Sequence, residues 1–173
     1  PYIPYLGGTM TTGCYDIPAA YFRVRGVYTH TVPVDAYRGA GRPEAAYLVE
    51  RLVDRIAHET GSTPDKVRAK NFIKPSQMPY AMPMGRVYDS GEFEAHMRRA
   101  MELADWAGFG KRAAAARKKG LIRGIGMGSY IEACGGGSPE PAYVALDKDG
   151  GITIRIGTQS NGQGHETAYA QLA

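Results

Sequence analysis

The chain has 173 residues, 43% of them apolar and 22% charged, with a formal net charge of +4. That length supports one substantial core or parts of two, and no apolar run approaches the ~20 residues of a membrane-spanning helix. No basic-then-apolar leader is present and the two cysteines, Cys14 and Cys134, lack metal-ligand spacing, so free thiols in a cytoplasmic protein without a membrane partner are expected.

The chain starts at Pro1 and stops inside an apparent helix, which reads as a piece of something longer. Residues 1–18 look irregular, with a short helix near Leu6. Tyr21 to His30 (YFRVRGVYTH) is aromatic and β-branched with alternating polarity, the pattern of a strand, and Thr31 to Val34 reads as a turn. Pro43 suits the first turn of a long helix that runs to Gly61, with Ala45, Leu48, Val49, Leu52, Val53 and Ile56 as its inner face. Thr63-Pro64 caps a short helix to about Phe72. Ile73 to Val87, rich in proline and methionine, reads as an extended loop.

Ser90 is expected to cap a helix over 92–104, whose inner side carries Phe93, Met97, Ala100, Met101 and Ala104. A basic helix from about Lys111 to Lys119 ends at Gly120. Much of the positive charge lies in Lys111 to Arg123; without interleaved aromatic residues or a reading module, it argues for a solvated face and against nucleic acid. Strands follow at Leu121–Glu132, Ala142–Asp147 and Gly151–Gly157, the last two joined by an Asp-Gly turn. Helices with strands on both sides give an α+β fold, with a mixed or antiparallel sheet and packed helices.

Two stretches carry chemistry. In AYRGAGR, Arg38 and Arg42 flank two glycines just before a helix N-terminus, so backbone N–H groups and a guanidinium can converge on one electron-rich group. In GTQSNGQGHET, Gln159 and Gln163 offer neutral amides, and Gly162 and Gly164 admit close backbone approach. His165 and Thr167 stand at the start of the helix that follows. GIGMGS at Gly124 to Ser129 lies inside a strand pattern and lacks the full dinucleotide spacing. The glycines beside Cys134 read as a hairpin loop. On these residues alone, a non-catalytic phosphate- or nucleotide-binding module is the alternative to an enzyme.

VPVDAYRGAGRPEAAYLVERLVDRIA, then KVRAKNF, RGIGMGSYIEACGGGSPEPA and GTQSNGQGHET resemble, in order, the molybdopterin-binding large subunit of the molybdenum hydroxylases. That family includes xanthine dehydrogenase, aldehyde oxidoreductases and aerobic carbon monoxide dehydrogenases. The resemblance implies hydroxylation of a C–H bond with water-derived oxygen and electrons passed through iron–sulfur clusters to FAD on partner subunits or domains. It implies a molybdenum–molybdopterin cofactor, in its cytosine dinucleotide form, held by Arg38, Gly39, Gln159, Gly162, Gln163 and Gly164, with no protein metal ligand in this chain and Arg38 as the catalytic residue. It also implies that residues 1–120 end a first molybdopterin-binding subdomain and residues 121–173 begin a second, the rest of the large subunit being the immediate partner.

The departures narrow the substrate. Where xanthine dehydrogenases carry a purine-stacking phenylalanine, this chain has Ala40; where copper-containing carbon monoxide dehydrogenases carry cysteine, it has Gly39. AYRGAGR resembles instead the form II carbon monoxide dehydrogenases, so an aldehyde or N-heterocycle is expected as substrate. The family's catalytic glutamate, in a GxGE context, has no counterpart here. The fragment alone is therefore expected to be inactive.

Overall fold

The computed structural model describes residues 2–33, 35–133 and 139–173. The chain divides into two compact units, residues 1–132 and 133–173. The first holds helices α1 (Tyr2–Gly8), α2 (Arg42–Glu59), α3 (Pro64–Asn71), α4 (Phe93–Leu103) and α5 (Phe109–Arg117) and a two-stranded antiparallel ribbon, β1 (Tyr80–Ala81) and β2 (Val87–Tyr88). The second holds an antiparallel hairpin, β3 (Ala142–Leu146) and β4 (Ile152–Ile156), and helix α6 (His165–Leu172). This is the α+β arrangement of helices and small antiparallel sheets that the sequence predicts.

The first unit condenses around two apolar clusters. One gathers Met10, Ala45, Ile73, Met82 and Tyr88; the other gathers Cys14, Tyr15, Val53, Phe72 and Met97. Tyr15 and Phe72 stack with ring centroids 5.4 Å apart, and their backbones bridge the residue 12–17 turn to the end of α3. Burial pushes the Cys14 thiol up to about 12, with the nearby Glu50 carboxylate adding to the effect. That cysteine is a packing residue, protonated at any physiological pH.

Within this core lies a buried ionic network. Arg68 of α3 is fully buried, yet donates from Nε (2.9 Å) and Nη2 (2.7 Å) to Glu50 Oε2 on α2, and from Nη1 to Asp54 Oδ1 at 2.9 Å. Tyr15 donates a short hydrogen bond to the other Glu50 oxygen. Burial alone disfavours the Arg68 charge, but the Glu50 carboxylate outweighs it and raises the pKa above the ordinary guanidinium value. The same pair reaches a distant segment, since Ser129 N–H donates to Glu50 Oε2 at 2.7 Å and Met127 C=O accepts from Arg68 at 3.3 Å.

Several predicted elements differ. α2 places Ala45, Val49 and Val53 against the core as expected, and Glu50 and Ala57 join them, while Leu48 (62% exposed), Leu52 (60%) and Ile56 (41%) face outward. The helix is apolar on two sides, and the ion pair decides which one turns toward this core. Residues 21–30 form no strand: Val27 and Tyr28 are exposed, and no backbone neighbour pairs with the segment among the described residues. Their composition suits a ladder, but a ladder needs a second chain segment to take its N–H and C=O groups.

Residues 121–132 likewise carry no strand, although Met127, Ser129 and Ile131 turn inward and Gly128, Tyr130 and Glu132 outward with a period of two. The loop expected over 73–87 instead folds into a 3-10 turn at Pro75–Gln77 and the β1–β2 ribbon. At the start of α4 the capping position falls to Glu92 rather than Ser90. The turn expected at 31–34 includes Val34, and the loop at Cys134 spans 134–138; these positions lie outside the described residues.

In the second unit Ala142 pairs with Ile156 and Leu146 with Ile152, as the Asp-Gly turn requires. Asp147 N–H donates to Gly151 C=O at 2.7 Å, and Gly150 takes φ 84°. Replacing Arg68 by Met strands Glu50 without its cation, and the expected loss is about 3–5 kcal/mol by urea unfolding. A parallel labelling experiment should find Cys14 unalkylated by iodoacetamide at pH 8.5 in the folded chain and modified once urea unfolds it.

Candidate functional site

The AYRGAGR stretch forms a tight turn between an extended segment and α2. Gly39, Ala40 and Gly41 all take positive φ (91°, 38° and 92°). Glycine is required twice here for space as well as for backbone angle. A Cβ on Gly41 would lie 1.9 Å from the Ile3 carbonyl oxygen, and one on Gly39 would lie 2.7 Å from the Pro43 ring. α1 thus presses directly on the turn, and Gly7 answers Gly41 by having no side chain to keep the backbones apart. Ala40 is the exception, an L-residue held left-handed between two glycines, a conformation that surrounding structure must impose.

The two arginines of the motif have different fates. Arg38 is exposed and has no hydrogen-bond or ion-pair partner among the described residues. Arg42 is folded inward: its Nε lies 2.9 Å from Gly39 C=O and 2.8 Å from Glu132 Oε1. One guanidinium braces the turn while the other is displayed. Beside Arg42, residues Pro43, Ala46, Tyr47, Tyr130 and Ile131 line a mostly apolar cleft of about 420 Å³.

The second stretch lies between β4 and α6. Gly162 and Gly164 take positive φ (89° and 77°), and Gly164 is the residue before the first turn of α6. The Gln163 carboxamide folds back on its own loop: Nε2 donates to Gln159 C=O at 3.2 Å, and Oε1 accepts a short bond from Asn161 N–H. Gln159 is exposed. The His165 and Tyr169 rings pack tilted with centroids 4.8 Å apart, and the Tyr169 hydroxyl meets the Thr158 hydroxyl at 3.2 Å, which ties the helix to the loop's start. The face of β4 carrying Ile152, Ile154 and Ile156 and the side of α6 carrying His165 and Tyr169 line a cleft of about 590 Å³.

Arg38, Gly39 and Ala40 therefore sit together in the first unit, and Gln159, Gly162, Gln163 and Gly164 sit together in the second. The donor set is a free guanidinium, carboxamides and glycine-opened backbone, which suits an anionic, hydrogen-bonding cofactor. Among the described residues no group of three or more His, Cys, Asp or Glu is placed to hold a metal ion. Molybdopterin fits such a set, because its own dithiolene supplies the metal ligands and its polar rings and phosphate need donors. Glu50, Arg68 and Glu132 were not apparent as supporting residues. The available signal was Glu50 itself, an acid that falls between apolar positions of a helix.

Two families described as molybdopterin cofactor-binding domain match the chain, one over residues 1–72 and the other over 99–173. The chain is 34% identical to the carbon monoxide dehydrogenase large chain of Hydrogenophaga pseudoflava, over 93% of its own length and 22% of that protein. It is 33% identical to the nicotine 6-hydroxylase large subunit of Paenarthrobacter nicotinovorans, over 94% and 21%. The solved quinoline 2-oxidoreductase of Pseudomonas putida 86 superposes with a TM-score of 0.79 at 28% identity, over 98% of this chain and 23% of that one. The family matches and the fold thus define a molybdopterin cofactor-binding protein. The chain belongs to the large-subunit family of the molybdenum hydroxylases, and spans about a fifth of the length of the curated relatives it matches.

Gly41→Ala drives a methyl group into the α1 backbone at an unfavourable φ and should cost more than about 1 kcal/mol. Gly110→Ala, inside α5 with open space around it, should stabilise by about 0.5–1 kcal/mol. Thermal melts of the two variants moving in the same direction would contradict this account of the turn.

Proposed function

We propose that this chain forms part of the catalytic large subunit of a molybdenum-dependent hydroxylase that oxidises a C–H bond of an N-heterocycle or an aldehyde. The observation that carries the reading is the Arg38 turn, a displayed guanidinium on a braced, left-handed backbone. Arg38 and Gly39 of the first unit, and Gln159, Gly162, Gln163 and Gly164 of the second, are the residues that hold the molybdopterin cofactor in its cytosine dinucleotide form. When bound, that cofactor supplies the two-electron oxidation and transfers oxygen derived from water.

Each residue has a separate task. Arg38 sets positive potential toward the anionic cofactor and stabilises negative charge that builds in the transition state. Gly39 and Gly41 let the turn approach without steric bulk. Gln163 braces its loop and keeps one amide hydrogen for the ligand, while Gln159 offers a whole carboxamide. Ala40 leaves the substrate side of the turn open, with no aromatic face to stack on a purine. The names of two relatives, a nicotine hydroxylase and a quinoline oxidoreductase, favour a heterocycle at that opening.

The subdomain boundary falls near residue 121, and iron–sulfur and FAD subunits or domains accept the electrons. The 173-residue chain alone is inactive, because it contains no GxGE glutamate to act as general base. Elemental analysis of that isolated chain should find no stoichiometric molybdenum, whereas the complete subunit should hold about one atom.

In the complete enzyme Arg38→Ala should lower kcat by roughly 10²–10³-fold with the thermal melt unchanged; unaltered kinetics would remove Arg38 from the site. Ala40→Phe should narrow the substrate range toward planar heterocycles. An identical substrate profile would count against the placement of Ala40.

A further inference from the structure

We propose that Glu132 is a positioning residue for the Arg38 turn, acting through Arg42; this rests on the reading of Arg38 as a cofactor contact. The turn is supported from below by α1 at Gly41 and from one flank by the Pro43 ring at Gly39. Neither contact fixes the carbonyl of Gly39, which belongs to the second peptide group after Arg38. That carbonyl accepts from Arg42 twice, from its backbone N–H at 3.1 Å and from its Nε at 2.9 Å, and the same Nε lies 2.8 Å from Glu132 Oε1. The Arg42 side chain is only 14% exposed and that of Glu132 35%, so the aimed carboxylate oxygen meets a guanidinium that water reaches little.

The delivery of Glu132 is also specific. It lies three residues after Ser129, whose N–H donates to Glu50 Oε2 at 2.7 Å, and five after Met127, whose C=O accepts from Arg68. The 127–132 segment is thereby registered against the buried ion pair, and Glu132 inherits that register. Glu50 lies on α2, the helix that begins at Arg42. The turn is consequently gripped at two points, through the helix that follows it and through the Glu132 carboxylate. Loss of the second grip leaves the Gly39–Ala40 peptide held only by backbone bonds, Arg42 N–H to Gly39 C=O at 3.1 Å and Ala40 N–H to Tyr37 C=O at 2.7 Å, and loosens the side-chain brace beneath Arg38. A displacement of about 1 Å in a group aimed at a reacting centre can cost ~10²-fold in rate.

The test uses the complete, molybdenum-loaded enzyme and the variants Glu132→Ala, Glu132→Gln and Arg38→Ala. Glu132→Ala should lower kcat by roughly 10–100-fold and leave KM within about twofold of wild type. It should alter the electron paramagnetic resonance signal of the partly reduced metal centre. Glu132→Gln keeps an oxygen at the same place and should recover most of the loss. Independently of turnover, hydrogen exchange should speed up in the peptide spanning residues 36–46 of the alanine variant and stay unchanged across α3.

A Glu132→Ala enzyme with full molybdenum content and wild-type kcat, signal and exchange overturns the proposal. So does a Glu132→Gln enzyme as impaired as the alanine variant, since charge or fold rather than the aimed oxygen would then be at stake. If the alanine variant fails to load molybdenum, exchange in the unloaded subunit decides on the same criterion. If Arg38→Ala impairs turnover and Glu132→Ala does not, this inference alone falls; if neither does, the reading of the turn falls with it.

Discussion

The first unit depends on one ion pair, Glu50 with Arg68, closed off from water. A charge in such a place is tolerated only when nearly all its donors and acceptors are satisfied. Here they are: the carboxylate receives Arg68, Tyr15 and Ser129, and the guanidinium spreads over Glu50, Asp54, Pro64 C=O and Met127 C=O. The pair does more than join α2 to α3. It chooses the inward face of α2, and it fixes where residues 127–132 lie. The site is positioned from both consequences, because α2 begins at the turn that displays Arg38 and the 127–132 segment carries Glu132.

Division of labour between neighbouring arginines follows from this geometry. In an isolated turn, two guanidiniums flanking Gly-Ala-Gly would be interchangeable surface charges. Once a carboxylate and a backbone carbonyl face Arg42, that residue becomes part of the frame and Arg38 is left as the group on display. The second stretch repeats the logic with neutral groups, where Gln163 spends its carboxamide on closing a loop and Gln159 keeps its own in solvent. Under the proposed function, a cofactor that is anionic and rich in hydrogen-bonding atoms would be met by one positive charge and several uncharged donors. That composition limits the repulsion or desolvation that a cluster of cations would carry when the cofactor is absent.

Much of this was legible in the residues. Helix starts at Pro43 and Pro64, the hairpin at Asp147 to Gly151 and the two glycine-rich turns all rest on local chemistry that a sequence states openly. The strand patterns at 21–30 and 121–132 rest on local chemistry too, but a strand is completed by a neighbour, and propensity is silent about whether one is present. The inward face of α2 was misjudged for a related reason. Its apolar residues cover two sides, and the choice between them was made by a charged residue paired to another eighteen positions away. The supporting role of Glu132 needed ninety residues of chain to fold back, which no spacing rule detects.

The stripe of Leu48, Leu52 and Ile56 along α2 has a practical consequence for anyone handling the polypeptide. Three branched aliphatic side chains in a row, four residues apart, make a sticky ridge that water does not tolerate well at high concentration. Colloidal behaviour should track that ridge rather than the net charge: clouding that worsens with added sulfate and eases on substitution of Leu48 and Leu52 by glutamine would mark it as the origin. Such a surface-softened variant keeps the inward face of the helix intact, and so offers a route to spectroscopy at millimolar concentrations.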